Sequence, residues 1–173
     1  MKDTLEARGG AHSFSETEIE NIIALYDAEI QYTDEVLLKP LIDHLKQLGL
    51  YQRTVLIITS DHGEEFYEHN GWLHGDTLYN EQLKVPLIIK MPYSENAGSR
   101  IPSKIRLIDI MPTVLDLAGI KPGDIDGQSL LSLVNGKERQ DRIFISDLAS
   151  RTQPQLIPLK MATNREQLKF IFT

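Results

Sequence analysis

The run Thr54-Val55-Leu56-Ile57-Ile58-Thr59-Ser60 leads straight into Asp61-His62-Gly63-Glu64. From Thr54 to Thr59 every residue is apolar or β-branched, the pattern of a fully buried strand. In open α/β sheets, ligands gather outside the carboxyl ends of the strands. This strand delivers a carboxylate, an imidazole and a glycine to that end, which makes its tip a candidate metal or catalytic site. A second histidine follows in Leu73-His74-Gly75.

Neighbouring residues of a regular strand point to opposite faces. At a strand end, Gly63 lets the backbone turn so that Asp61 and His62 both reach one ion. A hard carboxylate with a neutral imidazole suits Zn, Mn, Mg or Ca, depending on the remaining ligands. Glu64, Glu65, Glu68 and His69 lie close enough in sequence to contribute. Acidic residues in such a segment usually face solvent, however, and that is the reading for Glu64, Glu65 and Glu68. His69 stays open between a surface position and a supporting one. The plain alternatives are a helix N-cap for Asp61 and a satisfied loop histidine for His62. His12 and His44 show no partner pattern and read as structural or exposed.

Composition removes several functions. The net charge of −7 argues against a nucleic-acid footprint, which needs a basic face. The absence of cysteine rules out disulfides, thiolate ligands and a cysteine nucleophile within the 173 residues. Met1 to Gly10 is charged, without the apolar core of a signal peptide. No apolar run approaches the ~20 residues of a membrane span.

Along the chain, residues 1–14 read as a flexible arm. Ser15-Glu16-Thr17-Glu18 fits a capping box, and Ile19, Ile22, Ile23, Tyr26, Ile30, Val36 and Leu37 recur at helical spacing. Pro40 is expected to kink or interrupt that helix, with Leu41, Leu45 and Leu48 continuing its stripe and Gly49 capping its end. Residues 63–76 read as a long loop of the kind that carries function. Val85 to Met91 is a second apolar strand with Pro86 at its start. Ile105–Ile108 is a short strand candidate, and Asp109 is expected to cap a helix over 110–118 that Gly119 ends. A helical turn over Ser129–Leu133 and three short antiparallel strands, Phe144–Ser146, Leu156–Ala162 and Leu168–Phe172, close the chain.

With these pieces in order, the chain resembles the C-terminal part of the catalytic domain of the sulfatase family, within the alkaline phosphatase superfamily. The resemblance rests on Tyr26-Asp27-Ala28-Glu29-Ile30, on Thr59-Ser60-Asp61-His62-Gly63-Glu64, and on His74-Gly75 with Leu78-Tyr79-Asn80-Glu81 and Val85-Pro86-Leu87-Ile88-Ile89. It extends through Asp109-Ile110-Met111-Pro112-Thr113-Val114-Leu115-Asp116-Leu117-Ala118-Gly119 to Asp126-Gly127-Gln128-Ser129-Leu130. The implied fold is α/β, a mixed β-sheet with flanking helices, alkaline-phosphatase-like and incomplete on its N-terminal side, with a small antiparallel C-terminal part. Residues 15–140 would be the C-terminal part of the catalytic domain, and 141–173 its closing strands or a small truncated subdomain.

The resemblance implies metal ligation by Asp61 and His62 and a catalytic contact by His74 near the leaving oxygen of the ester. It implies a divalent metal ion: Ca in a sulfatase, Mn or Zn in a phosphoryl-transfer relative. The substrate would be a sulfate or phosphate ester. Two departures bear on the anion. Many arylsulfatases carry Asp-Asn where this chain has Asp61-His62, and the family usually has a lysine near His74-Gly75. A phosphomonoester or phosphodiester hydrolase, or a phosphoethanolamine transferase, is the alternative within the superfamily. The paired aspartates and the nucleophile with which the family's domain begins have no counterpart here. The expectation is therefore a fragment that is inactive alone and self-associates through surface exposed by truncation. The rivals are a self-sufficient metal hydrolase and a non-catalytic interaction fragment. Relatives lean towards exported or periplasmic locations, and this chain shows no signal that decides its own.

Overall fold

Ser15 opens the first helix, α1 (Glu16–Thr33), with the reciprocal capping box that its spacing to Glu18 predicts. Ser15 N donates to the Glu18 carboxylate at 2.8 Å, and Glu18 N donates to Ser15 Oγ at 3.4 Å. Donors that a helix start leaves unpaired are thereby satisfied. The computed structural model describes residues 13–137, 143–148, 159–163 and 169–172. Ser13 and Phe14 apart, the arm expected over residues 1–14 lies outside them.

Pro40 does not interrupt the helix. A π turn over Asp34–Leu38 comes first, with Lys39 N bonded to Asp34 O, and α2 (Lys39–Gln47) follows with the proline in its opening turn. The wider turn moves away the carbonyl that the proline ring would strike and absorbs the missing N–H. At the far end Gly49 takes φ +67°. Leu50 N reaches Leu45 O at 2.9 Å and Gly49 N reaches Lys46 O at 3.0 Å, a Schellman stop. The apolar stripe of these helices stays largely open: Ile30, Val36, Leu37 and Leu41 are all exposed.

β1 (Leu56–Thr59) forms where expected but is not buried. Leu56 to Ile58 are half-buried and Thr59 is exposed. Its ladder runs antiparallel to β4 (Leu87–Lys90), pairing Leu56 with Lys90 and Thr59 with Leu87. Its other edge has no strand partner among the described residues. The strand's composition suits cover on both faces, and the neighbours present supply only part of it. Pro86 sits just before β4, where its missing N–H costs no ladder bond.

Residues 63–76 are a small hairpin rather than an irregular loop. β2 (Glu65–Phe66) pairs with β3 (Trp72–Leu73), and Tyr67 N closes the turn onto Gly71 O at 2.9 Å. Two-residue strands are too short to show alternation, which is why the segment carries no period. Phe14 packs edge-on against Trp72 at 4.8 Å, and Tyr26 of α1 meets Phe66 at 5.0 Å. A short helix, α3 (Asn80–Leu83), leads back to β4.

The chain divides into two compact units between Glu95 and Asn96. In the second, the strand expected over Ile105–Ile108 is absent. Leu107–Asp109 is a 3₁₀ turn leading into α4 (Ile110–Leu117). The reason is Asp109, whose carboxylate reaches back to Arg106 N at 2.9 Å and Arg106 Nη2 at 3.0 Å, curling the backbone. Its side chain therefore serves the turn before α4 and does not cap α4 itself. Gly119 ends α4 as expected, with Ile120 N on Leu115 O at 2.9 Å. A single turn, α5 (Leu131–Val134), precedes β5 (Phe144–Leu148), β6 (Leu159–Thr163) and β7 (Lys169–Phe172), which pair antiparallel in that order. No helix among the described residues is long and apolar enough to cross a membrane.

Candidate functional site

Asp61 follows β1 directly, and three bonds hold the turn that carries it. Thr59 Oγ1 donates to Pro86 O at 2.8 Å, Ser60 Oγ to His62 O at 2.5 Å, and Gly63 N to Gln82 O at 2.8 Å. No helix follows Asp61, so the N-cap alternative is not realised. Gly63 was expected to supply rotational freedom, yet it is not among the glycines with positive φ. Its role is close approach: a Cβ at Gly63 would collide with the carbonyl of Glu81. Because that obstacle is backbone, Gly63→Ala is expected to cost about 1–3 kcal/mol, read as a lower urea midpoint with unchanged slope.

His62 is held in one tautomer. Its Nδ1 lies 2.8 Å from Gly63 O, and since a carbonyl only accepts, Nδ1 carries the proton. That leaves the lone pair on Nε2, which lies 3.7 Å from Asp61 Oδ1. Two ligand atoms on one ion with bonds of about 2.0–2.6 Å stand roughly 3–5 Å apart. The pair therefore fits a shared divalent cation, and its Nδ1–H···O=C bond is the usual support of a metal-binding histidine. Asp61 Oδ1 otherwise accepts from His62 N at 3.1 Å, and its side chain is 87% exposed.

His74, twelve residues on in sequence, arrives at the same place through β3. Its ring stacks on that of His62 with centroids 3.7 Å apart and planes at 30°. Its Nδ1 lies 3.2 Å from a carboxylate oxygen of Glu64, whose side chain is only 15% exposed. The structure thus gathers Asp61, His62 and His74, and adds Glu64, which was expected to face solvent.

Glu65 departs further from that expectation. It is 2% exposed, among the largest fully buried side chains described. Oε1 accepts from His69 N at 3.2 Å and Gly71 N at 3.0 Å, and Oε2 accepts from Gln82 Nε2 at 3.1 Å. Gln82 Oε1 in turn accepts from Gly75 N at 3.0 Å. A buried carboxylate is tolerated when donors surround it, and this one ties the hairpin to α3. Gly71 is the one sequence sign of the arrangement, since a Cβ there would lie 2.7 Å from Glu65 Oε1.

His69 stacks on Tyr79 at 3.7 Å, and its Nδ1 lies 2.5 Å from Glu81 Oε1. Glu65, His69 and Glu81 could together place ligand atoms within 4.8 Å of one another. The His69–Glu81 separation is that of a hydrogen bond and too short for two ligands flanking an ion. As placed, these residues support the turn.

The sulfatase family model matches residues 4–120. The chain is 39% identical over 132 residues to arylsulfatase K of Mus musculus, across 76% of this chain and 23% of that protein. It is 38% identical over 91 residues to an N-acetylglucosamine-6-O-sulfatase of Bacteroides thetaiotaomicron, across 52% of this chain and 16% of that protein. A solved structure, the phosphonate monoester hydrolase of Agrobacterium radiobacter, superposes with a TM-score of 0.77 at 24% identity, covering 94% of this chain and 35% of that one. That likeness is one of fold, and the fold is the α/β, alkaline-phosphatase-like class. The chain spans less than a quarter of the length of these two curated relatives.

Proposed function

This chain belongs to the sulfatase family, and we propose on that premise that it carries part of the metal and anion site of a sulfuric ester hydrolase. The observation that carries the reading is the grouping of Asp61, His62 and His74 at one strand tip, with Asp61 Oδ1 3.7 Å from His62 Nε2 and His74 stacked on His62. Family divalent-metal use is general, and Asp61 and His62 are the residues that would hold the ion, with Ca as the preferred metal. An ion held there would offset charge on the nonbridging oxygens of the ester. With Nδ1–H held by Glu64, His74 can donate to the leaving oxygen through Nε2 only as the imidazolium, in which both ring nitrogens carry a proton. Sulfate is preferred to phosphate as the anion because the relatives at 38–39% identity are named for sulfate esters.

The phosphonate hydrolase likeness is one of fold and does not separate sulfate ester hydrolysis from phosphoryl transfer, the alternative within the superfamily. Calorimetry separates the two. The expected result is Ca²⁺ binding at one site per chain, strengthened by inorganic sulfate more than by phosphate. Zn²⁺ or Mn²⁺ in preference to Ca²⁺, strengthened by phosphate, would overturn the sulfatase reading in favour of the alternative.

A further inference from the structure

Glu64 is not a solvated surface acid. Its side chain is 15% exposed and both its carboxylate oxygens face His74 Nδ1, at 3.3 and 3.2 Å. A carboxylate facing an imidazole nitrogen at that distance accepts its N–H, and so selects the tautomer protonated at Nδ1. In a free neutral histidine neither choice is imposed. The stack on His62 fixes the plane of the His74 ring, and the bond to Glu64 fixes which edge of that plane faces which way. Stacking alone leaves a half-turn flip of the ring open. Only a partner on one edge removes it.

We infer that Glu64 is the positioning residue of His74, holding its ring so that Nε2 and not Nδ1 is the atom presented to the ester. The inference rests on the sulfatase reading of the same site for what Nε2 meets, but not for the pairing itself. The arrangement is that of an orienting carboxylate behind a working histidine, in which the carboxylate acts through the ring and touches no substrate. It also accounts for the burial of Glu64, since a carboxylate withdrawn from water needs a donor to face. His62 reaches the same tautomer by a different route, through the carbonyl of Gly63. The two stacked rings are therefore locked independently, which makes one the internal control for the other.

The test is ¹⁵N–¹H correlation of the imidazole rings in alkaline buffer, where imidazoles are neutral. In the unaltered chain His74 is expected to show a protonated Nδ1 and an unprotonated Nε2. Glu64→Ala is expected to lose that pattern at His74, with the proton moving to Nε2 or averaging between the two, while His62 keeps its own. Glu64→Gln retains a carbonyl oxygen that accepts from Nδ1 and is expected to restore the parent pattern. A His74 ring in the same state in all three proteins overturns the assignment, as does a parent ring protonated at Nε2. A change at His62 equal to that at His74 marks general disruption of the turn and overturns it too. The buffer is then brought to about pH 6.5, where a fraction of imidazoles carry both protons and an Nε2–H can donate to an anion; inorganic sulfate with Ca²⁺ is expected to shift His74 Nε2 there in the parent and in Glu64→Gln. If the tautomer pattern holds but sulfate moves neither ring nitrogen, the positioning role stands and the sulfate reading of the site falls.

Discussion

Alanine at Asp61 or at His62 is expected to lower the affinity of this protein for a divalent cation by at least about a hundredfold, since loss even of an outer-shell partner of a metal ligand costs 10–100-fold. The two substitutions reach this by different routes. The Asp61 side chain is 87% exposed, and among the described residues its contacts are with His62 alone, the backbone N–H at 3.1 Å and Nε2 at 3.7 Å. Its removal leaves no buried group unpaired, so stability should hold within about 0.5 kcal/mol, the range of ordinary surface changes. His62 also loses its contact with the His74 ring and its bond to Gly63 O, so His62→Ala should show a modest fall in stability beside the loss of metal. Calorimetric titration paired with urea denaturation reads both quantities. Unchanged metal affinity in both variants would move ligation away from the strand tip.

Asp109→Ala is the largest stability effect expected. Asp109 is 0% exposed, and its carboxylate accepts from Arg106 N, Arg106 Nη2 and Gln128 N at 2.9, 3.0 and 3.0 Å. Removing one member of a buried ion pair costs about 3–5 kcal/mol, because the other charge stays behind without its partner. The backbone donors of Arg106 and Gln128 would be stranded as well. Little slack exists nearby. Thr113 Oγ1 already donates to Asp109 O at 2.6 Å while accepting from Leu130 N at 2.9 Å, and a Cβ at Gly127 would collide with Ile108 O. Asp109→Asn keeps the shape and one acceptor, and should cost roughly half as much. Urea denaturation checks the pair. A loss below about 1 kcal/mol for the alanine variant would mean that water takes over the bonds of Asp109.

Local signals were legible wherever the interaction itself is local. The capping box at Ser15 and Glu18, and the glycine stops at Gly49 and Gly119, close over three to six residues. Spacing alone reveals them. Pro40 was legible as a disturbance, but not the π turn that absorbs it, because several backbone solutions satisfy one missing N–H. The strand before Asp61 was legible from its β-branched run, while its burial depends on elements elsewhere in the chain.

At the site, the residue types of Asp61, His62 and His74 could be read from position at a strand tip and from motif order. Their neighbours could not. Glu64 and Glu65 are adjacent acids in a segment without period, and one serves His74 while the other is buried under Gly71. Their fates are set by donors ten and seventeen residues away, His74 Nδ1 and Gln82 Nε2. The sequence by itself determined the strand, its acidic and imidazole tip, the start of α1 and the glycine stops at Gly49 and Gly119, because each depends on backbone bonds and side-chain periods spanning a few residues. Only the tertiary structure decided which acids leave water and why Gly63 must lack a Cβ. Those outcomes follow from which donors and carbonyls the fold brings within about 3 Å, and chain separation does not encode that distance.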